Sequence, residues 1–234
     1  MRSIDAKGRQ TVPRDAKLIF SADGVILVAP NLWPCFRPRE FDGIVLAPHT
    51  CYVEPDPLNQ SFRAISEQDN LRILTMSEKL MTARSFYSFG SLSHLRWLRL
   101  RNIMIDSVDG PLDGSKLANL ANLQHLQVLQ LENIVAISPA IKALAGGTEL
   151  RRLSIIGCKL GTDDIEHLTK LRSLEVLNLH CDTFPEGDFW REVSKMPNLK
   201  QLIVESSLVE KLNAQAISKL HLTLVTEGPN CHPR

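Results

Sequence analysis

His180, Cys181 and Asp182 stand in a row in this 234-residue sequence, and they are the residue types of a base, a nucleophile and an orienting acid. Nucleophilic catalysis needs thiol and imidazole within hydrogen-bond reach, with the acid behind the ring. Neighbours in an extended strand point to opposite faces, so three consecutive positions defeat that geometry. The row is therefore read as structural, with His180 on an open face and Cys181 at the turn that follows. Other spacings that carry chemistry are missing: there is no GxxxxGK[ST], GxGxxG, HExxH or GxSxG. The five cysteines, Cys35, Cys51, Cys158, Cys181 and Cys231, are odd in number, irregularly spaced and free of any CxxC pair. That pattern fits free thiols in a reducing compartment, not a zinc ribbon or a disulfide framework. Cys231-His232 is not taken as a metal site. Catalytic residues, metal ligands and cofactors are accordingly all read as none.

Residues suited to recognition stand out instead. Trp97-x-Arg99-x-Arg101 alternates with Leu98 and Leu100, so an extended chain would turn the tryptophan and both arginines to one face and the leucines to the other. The pattern to which this segment belongs, apolar-x-x-apolar-x-apolar, returns along the chain. It reads Leu71, Leu74, Met76; Leu95, Leu98, Leu100; Leu126, Leu129, Leu131; Leu150, Leu153, Ile155; Leu174, Leu177, Leu179; Leu199, Leu202, Val204. First positions are 24, 31, 24, 24 and 25 residues apart.

Each unit also keeps register in its second half. Ten positions past the first leucine an apolar residue recurs as Met81, Ile105, Ala136, Leu160, Phe184 and Val209. Positions 15, 18 and 21 carry Phe86, Phe89 and Leu92 in one unit and Ile165, Leu168 and Leu171 in another. In the 31-residue unit the trio is Leu117, Leu120 and Leu123, displaced by a seven-residue insertion in the turn-rich Asp106–Ser115 segment. Period-two alternation predicts a strand, and spacing by three predicts a helix or 3₁₀ turns on the return path. One such unit cannot bury its apolar side alone, so the units must stack around a continuous core.

The repeat resembles the leucine-rich-repeat family, with strand consensus LxxLxLxx(N/C)xL. The best match is Leu150-Arg-Arg-Leu153-Ser-Ile155-Ile-Gly-Cys158-Lys-Leu160, followed by Gly161-Thr-Asp-Asp-Ile165, where Asp163-Asp164 is read as capping the next helix. This unit is similar to the cysteine-containing and ribonuclease-inhibitor-like subclasses. The resemblance covers about residues 71–225. It implies an α/β fold: a right-handed horseshoe solenoid with a parallel concave sheet and a helical convex side. The asparagine-or-cysteine position is Ile103, Ile134, Asp182 and Ser207 in other units, so the family's side-chain ladder there is degenerate. His125, His167 and His221 fall at unrelated offsets and form no ligand set.

The domain reading is a cap over residues 1–40, a solenoid over 41–225 and a flexible tail over 226–234. In the cap, Lys17–Phe20 and Val25–Val28 flank Ser21-Ala-Asp-Gly24 and predict a β-hairpin. Residues 41–70 hold a weak strand at Phe41–Leu46 and then a proline-rich, loop-like stretch with Pro48, Pro55 and Pro57. Ile4–Pro13 is similar to the opening of swapped-hairpin DNA-binding domains of the AbrB/MraZ type. This supplies the alternative reading, a nucleic-acid-binding regulator acting through the N-terminal segment.

Family resemblance places binding on the concave face. Outward positions there include Trp97, Arg99 and Arg101 on one strand, Gln130 and Glu132 on the next, and Arg152 on the one after. A second patch holds Asn178, His180 and Glu205. Exposed Trp beside Arg is the composition of interface hot spots. The function expected is non-enzymatic binding of a protein partner, as an adaptor, inhibitor, immunity or effector protein, by a chain monomeric on its own. Charge and hydropathy narrow the setting. Apolar residues make up 44%, charged residues 23%, and the net charge is +1. No overall field favours nucleic acid, no apolar run approaches the roughly 20 residues of a membrane span, and Met1–Gln10 lacks the apolar stretch of a signal peptide. A cytoplasmic protein is expected.

Overall fold

A computed structural model of the chain describes residues 17–23, 30–36, 40–47, 55–77, 80–81, 87–105, 115–145, 149–183, 189–206, 209 and 223–227. Ile4–Pro13, Val25–Val28, residues 106–114, Phe86, Phe184, Ser207, His221 and Cys231-His232 lie outside them.

Among the described residues, nine strands form one parallel sheet in chain order: β1 (Ile19–Asp23), β2 (Gly43–Ala47), β3 (Ile73–Ser77), β5 (Trp97–Arg101), β7 (Val128–Glu132), β8 (Arg152–Lys159), β9 (Val176–Thr183), β10 (Gln201–Glu205) and β11 (Thr223–Glu227). Two further short strands, β4 (Leu80–Met81) and β6 (Met104–Ile105), pair in parallel with each other. Return segments run between successive strands. They are 3₁₀ turns at Pro30–Cys35, Ser88–Ser91 and Lys116–Asn122, and helices α1 (Pro55–Ser66), α2 (Ser138–Leu144), α3 (Thr162–Thr169) and α4 (Phe189–Val193), each packed on its neighbour. This is the stack of strand-and-return units that the periodicity predicts, with the parallel sheet that the family resemblance implies.

Leucine columns account for the stack. The strand leucines Leu74, Leu98, Leu129, Leu153, Leu177 and Leu202 follow one another in register and are at most 1% exposed. Spacing by three on the return path is matched by i→i−3 bonds of 3₁₀ type. Leu92 and Leu95 donate to Phe89 and Leu92, Leu123 and Leu126 to Leu120 and Leu123, and Leu171 and Leu174 to Leu168 and Leu171. A backbone ladder ties the strand starts together. The carbonyls of Arg72, Arg96, Gln127, Arg151 and Glu175 each accept two N–H groups from the next repeat, at 2.8–3.1 Å. Every unit thus finds both its apolar contacts and its backbone partners in its neighbours.

Four local features depart from the sequence reading. The hairpin turn expected at Ser21–Asp23 is a correction: these residues lie inside β1, which pairs in parallel with β2. A parallel partner satisfies their backbone, and Phe20 finds aromatic contacts with Trp33, Phe36 and Phe41 at centroid distances of 5.1–6.3 Å. Among the described residues the sheet therefore starts with β1 at Ile19. The stretch read as loop-like contains α1. Its prolines occupy the first turn, where a missing N–H costs nothing, and Phe62 and Ile65 bury one face, Phe62 edge-on to Phe89 at 5.7 Å. Ala136 is exposed with φ 48°, and Ile137 takes the buried place instead. Finally, β11 includes Thr226 and Glu227, which were assigned to the tail.

Positive-φ residues missed by the consensus also bend the chain at one offset in three repeats. Asn102 (φ 49°), Asn133 (φ 58°) and Gly157 (φ 60°) occupy the same offset, one residue before the asparagine-or-cysteine position. Asn133 Nδ2 donates to Asn102 Oδ1. Cys158 continues the stitching at the next position, accepting the Ile134 N–H at 3.4 Å. On the return side, Asp164 at the start of α3 accepts the Gly161 N–H at 2.7 Å and the Ser138 hydroxyl of α2 at 2.9 Å. The expected capping role thus also links two repeats.

Leu153→Ala should lower unfolding free energy by about 2–5 kcal/mol, because it opens a cavity in a column that neighbours on both sides hold in place. Gly157→Ala should cost about 1–3 kcal/mol, since the residue is left-handed and its new Cβ would collide with Asn133 Oδ1. Urea denaturation of both variants checks the pair.

Candidate functional site

Strand alternation presents rows of side chains on the sheet face opposite the core. Register makes the rows explicit. One runs Ile73, Trp97, Val128, Arg152, Val176, Gln201; the next Thr75, Arg99, Gln130, Ser154, Asn178, Ile203; the third Ser77, Arg101, Glu132, Ile156, His180. All nine residues singled out from the sequence thus sit on this sheet. They divide into two groups, with Arg152 on β8 between them.

Glu132 organises the first group. It is only 5% exposed, and both arginines of β5 converge on it: Arg101 Nε lies 3.1 Å from Oε1 and Arg99 Nη2 lies 3.8 Å from Oε2. A nearly buried carboxylate needs such partners, because a lone charge away from water is costly. Arg101 and Arg99 thus share one carboxylate. Trp97 is different. It is 43% exposed although its strand neighbours Leu98 and Leu100 are fully buried. Arg152 is exposed, and among the described residues it has no ion-pair partner.

The second group is looser. His180 Nδ1 lies 3.9 Å from Glu205 Oε1. Between the groups, Ser154 is 6% exposed, and neither its hydroxyl nor Asn178 Oδ1 finds a hydrogen-bond partner among the described residues. These two are direct neighbours across β8 and β9. Cys181 lies within β9, not at a turn, and its sulfur packs toward the core, 3.9 Å from the Ile155 carbonyl. His180 points the other way, so the two side chains do not form a nucleophile–base pair.

Sequence reasoning overlooked the rim where the strands begin. The residue after each first leucine is Arg72, Arg96, Gln127, Arg151, Glu175 or Lys200. Arg72 and Arg96 are exposed and, among the described residues, carry no ion pair. Glu175 accepts Lys200 Nζ at 2.7 Å and Arg151 Nη1 at 3.0 Å. The Lys200 hydrogen bond and charge, with Arg151 adding to them, hold the Glu175 carboxyl below its ordinary range. A repeat-aligned column of residue types would have revealed this rim.

No group of three metal-capable side chains gathers among the described residues, and no helix among them is long and apolar enough to cross a membrane.

Comparison with known proteins bears on this surface. A family profile described as a leucine-rich repeat region matches residues 55–225. No curated protein matches the sequence. Among solved structures, an internalin (inlF) from Listeria monocytogenes is similar at 18% identity and TM-score 0.44, covering 71% of this chain and 56% of its own. A plant peptide hormone receptor, RGFR1, solved in complex with RGF2, is similar at 17% identity and TM-score 0.45, covering 91% of this chain and 38% of its own. The chain thus spans about half of the one and just over a third of the other.

Trp97→Ala should change unfolding free energy by less than about 1 kcal/mol, because the ring is half exposed. Glu132→Gln should cost about 1–3 kcal/mol by leaving two adjacent guanidinium groups without their shared counter-charge. Thermal melts of the two variants should therefore separate clearly, and a Tm for Trp97→Ala as low as that for Glu132→Gln would show the indole to be core.

Proposed function

The chain belongs to the leucine-rich-repeat family, and from that premise we propose that it is a non-enzymatic recognition module whose concave face holds a protein partner. One observation carries the reading: a half-exposed Trp97 stands on the sheet face beside Arg99, with the exposed Arg152 two strands away in the same row. A large aromatic left in water costs free energy unless a partner covers it, and Trp with Arg is the pairing that dominates interface energetics. The rows are rigid because each strand is locked to two others, so the face is preorganised for binding.

The family's scaffolds generally serve protein–protein interaction, and that supports the class of function. The inhibitor, immunity, adaptor and effector roles all use such a face. Cys158 and Cys181 stand as thiols and not in a disulfide among the described residues, which suits a reducing, cytoplasmic setting.

The test is recovery of partners from native lysate by wild type and by a Trp97→Ala/Arg152→Ala double variant that melts like it. Arg152 is chosen over Arg99 because Arg99 also holds Glu132. A specific protein retained by wild type and lost by the variant is the expected result. Equal recovery by both would move binding away from this face.

A further inference from the structure

Charge on the repeat strands is unevenly divided. Residues 71–77, 95–101, 126–132 and 150–156 hold six arginines, Arg72, Arg96, Arg99, Arg101, Arg151 and Arg152, against the single acid Glu132. They contain no lysine and no aspartate. This is an excess of five positive charges on a chain whose net charge is +1. The next two segments, 174–180 and 199–205, reverse the sign, with Glu175 and Glu205 against Lys200. The internal pairing is equally lopsided. Glu132 engages Arg99 and Arg101, and Glu175 engages Arg151. Arg72, Arg96 and Arg152 are exposed and make no ion pair among the described residues. Their backbone positions bracket Trp97: the Arg72 carbonyl accepts the N–H of both Arg96 and Trp97 at 2.9 Å, and Arg152 stands two strands away in the Trp97 row.

We propose that β3, β5, β7 and β8 form a docking surface for an acidic, extended protein segment, whose carboxylates pair with Arg72, Arg96 and Arg152 while an apolar or aromatic side chain covers Trp97. This rests on the concave-face reading above and specifies the partner's chemistry. Arginine is the side chain whose planar fork matches a carboxylate with two hydrogen bonds. The sign change beyond β8 favours protein over nucleic acid. A segment crossing the strands from β3 to β10 traverses about 24 Å at the usual strand spacing, which a handful of extended residues cover. Over that span the face passes from basic to acidic, with His180 and Glu205 at the far end. A polypeptide reverses sign along its length, and a phosphodiester chain does not.

The test is selection of a displayed library of random peptides, roughly 12 residues long, on immobilised full-length protein. Selected peptides are then measured by fluorescence anisotropy against wild type, Arg96→Glu/Arg152→Glu and Trp97→Ala, each first shown to melt like wild type. Arg96→Gln/Arg152→Gln replaces the reversal variant if that one does not fold. The expected result is enrichment of Asp and Glu, binding that weakens with salt, and a loss of about tenfold or more in the arginine variants. Enriched peptides without acids that lose binding in Trp97→Ala would leave the concave face as the binding surface and overturn its acidic specificity. Peptides indifferent to all variants, or no enrichment over a blank surface, would overturn both. A single-stranded oligodeoxythymidine of about the same length that binds more tightly than the best peptide, and is lost in the arginine variants, would overturn the choice of protein over nucleic acid.

Discussion

No single repeat of this chain can bury its own leucines, and the rest of the structure follows from that constraint. A repeat strand offers few inward side chains, such as Leu98 and Leu100, and a return path a short apolar face, such as Leu117, Leu120 and Leu123. Stacking closes the core on both sides at once, and it also sets the register in which carbonyls such as those of Arg72 and Arg96 receive two N–H groups from the following unit. Most outward residues are not needed for this, Glu132 with its two arginines being an exception. The face can therefore vary in chemistry from strand to strand while the core columns remain nearly uniform, which is how a repeat with a monotonous interior can carry a basic half and an acidic half.

Legibility in the sequence divides along the same line. Core positions recur with fixed spacing, so the six central strands and the 3₁₀ return turns could be read from leucines alone. Residues 17–70 could not, because they follow the repeat spacing loosely. Ser21-Ala-Asp-Gly24 has turn composition, yet the pull of a parallel partner at Gly43–Ala47 and of the aromatic cluster around Phe20 keeps Ser21–Asp23 extended. Pro55 and Pro57 suggested a loop, but prolines are harmful inside a helix and harmless in its first turn. The asparagine column was hidden by a shift of one residue: the conformational demand for φ > 0 at Asn102, Asn133 and Gly157 falls just before the position that the consensus names.

Membership of the concave face was likewise readable, since alternation and register together decide it. What each residue does there was not. Nothing in the sequence distinguishes Arg99, which is committed to Glu132, from Arg152, which is open to a partner. That distinction depends on which rotamers meet across strands, and on a rim of residues one position outside the alternating rows. Arg72 and Arg96 belong to that rim and are adjacent only because two repeats 24 residues apart are stacked.

Glu132 shows how stability and surface chemistry share one face. Its carboxylate is nearly buried, so it draws Arg99 and Arg101 down onto the sheet and fixes their orientation. Without that acid, two neighbouring guanidinium groups on one strand would repel each other and lie away from the surface. With it, the cationic field is held flat beside Trp97, and most of the entropy cost of ordering those side chains falls on folding instead of on binding. The acid reduces the formal charge of the patch by one. It also holds flexible arginines in a fixed arrangement on the sheet, while Arg72, Arg96 and Arg152 stay exposed and make no ion pair among the described residues.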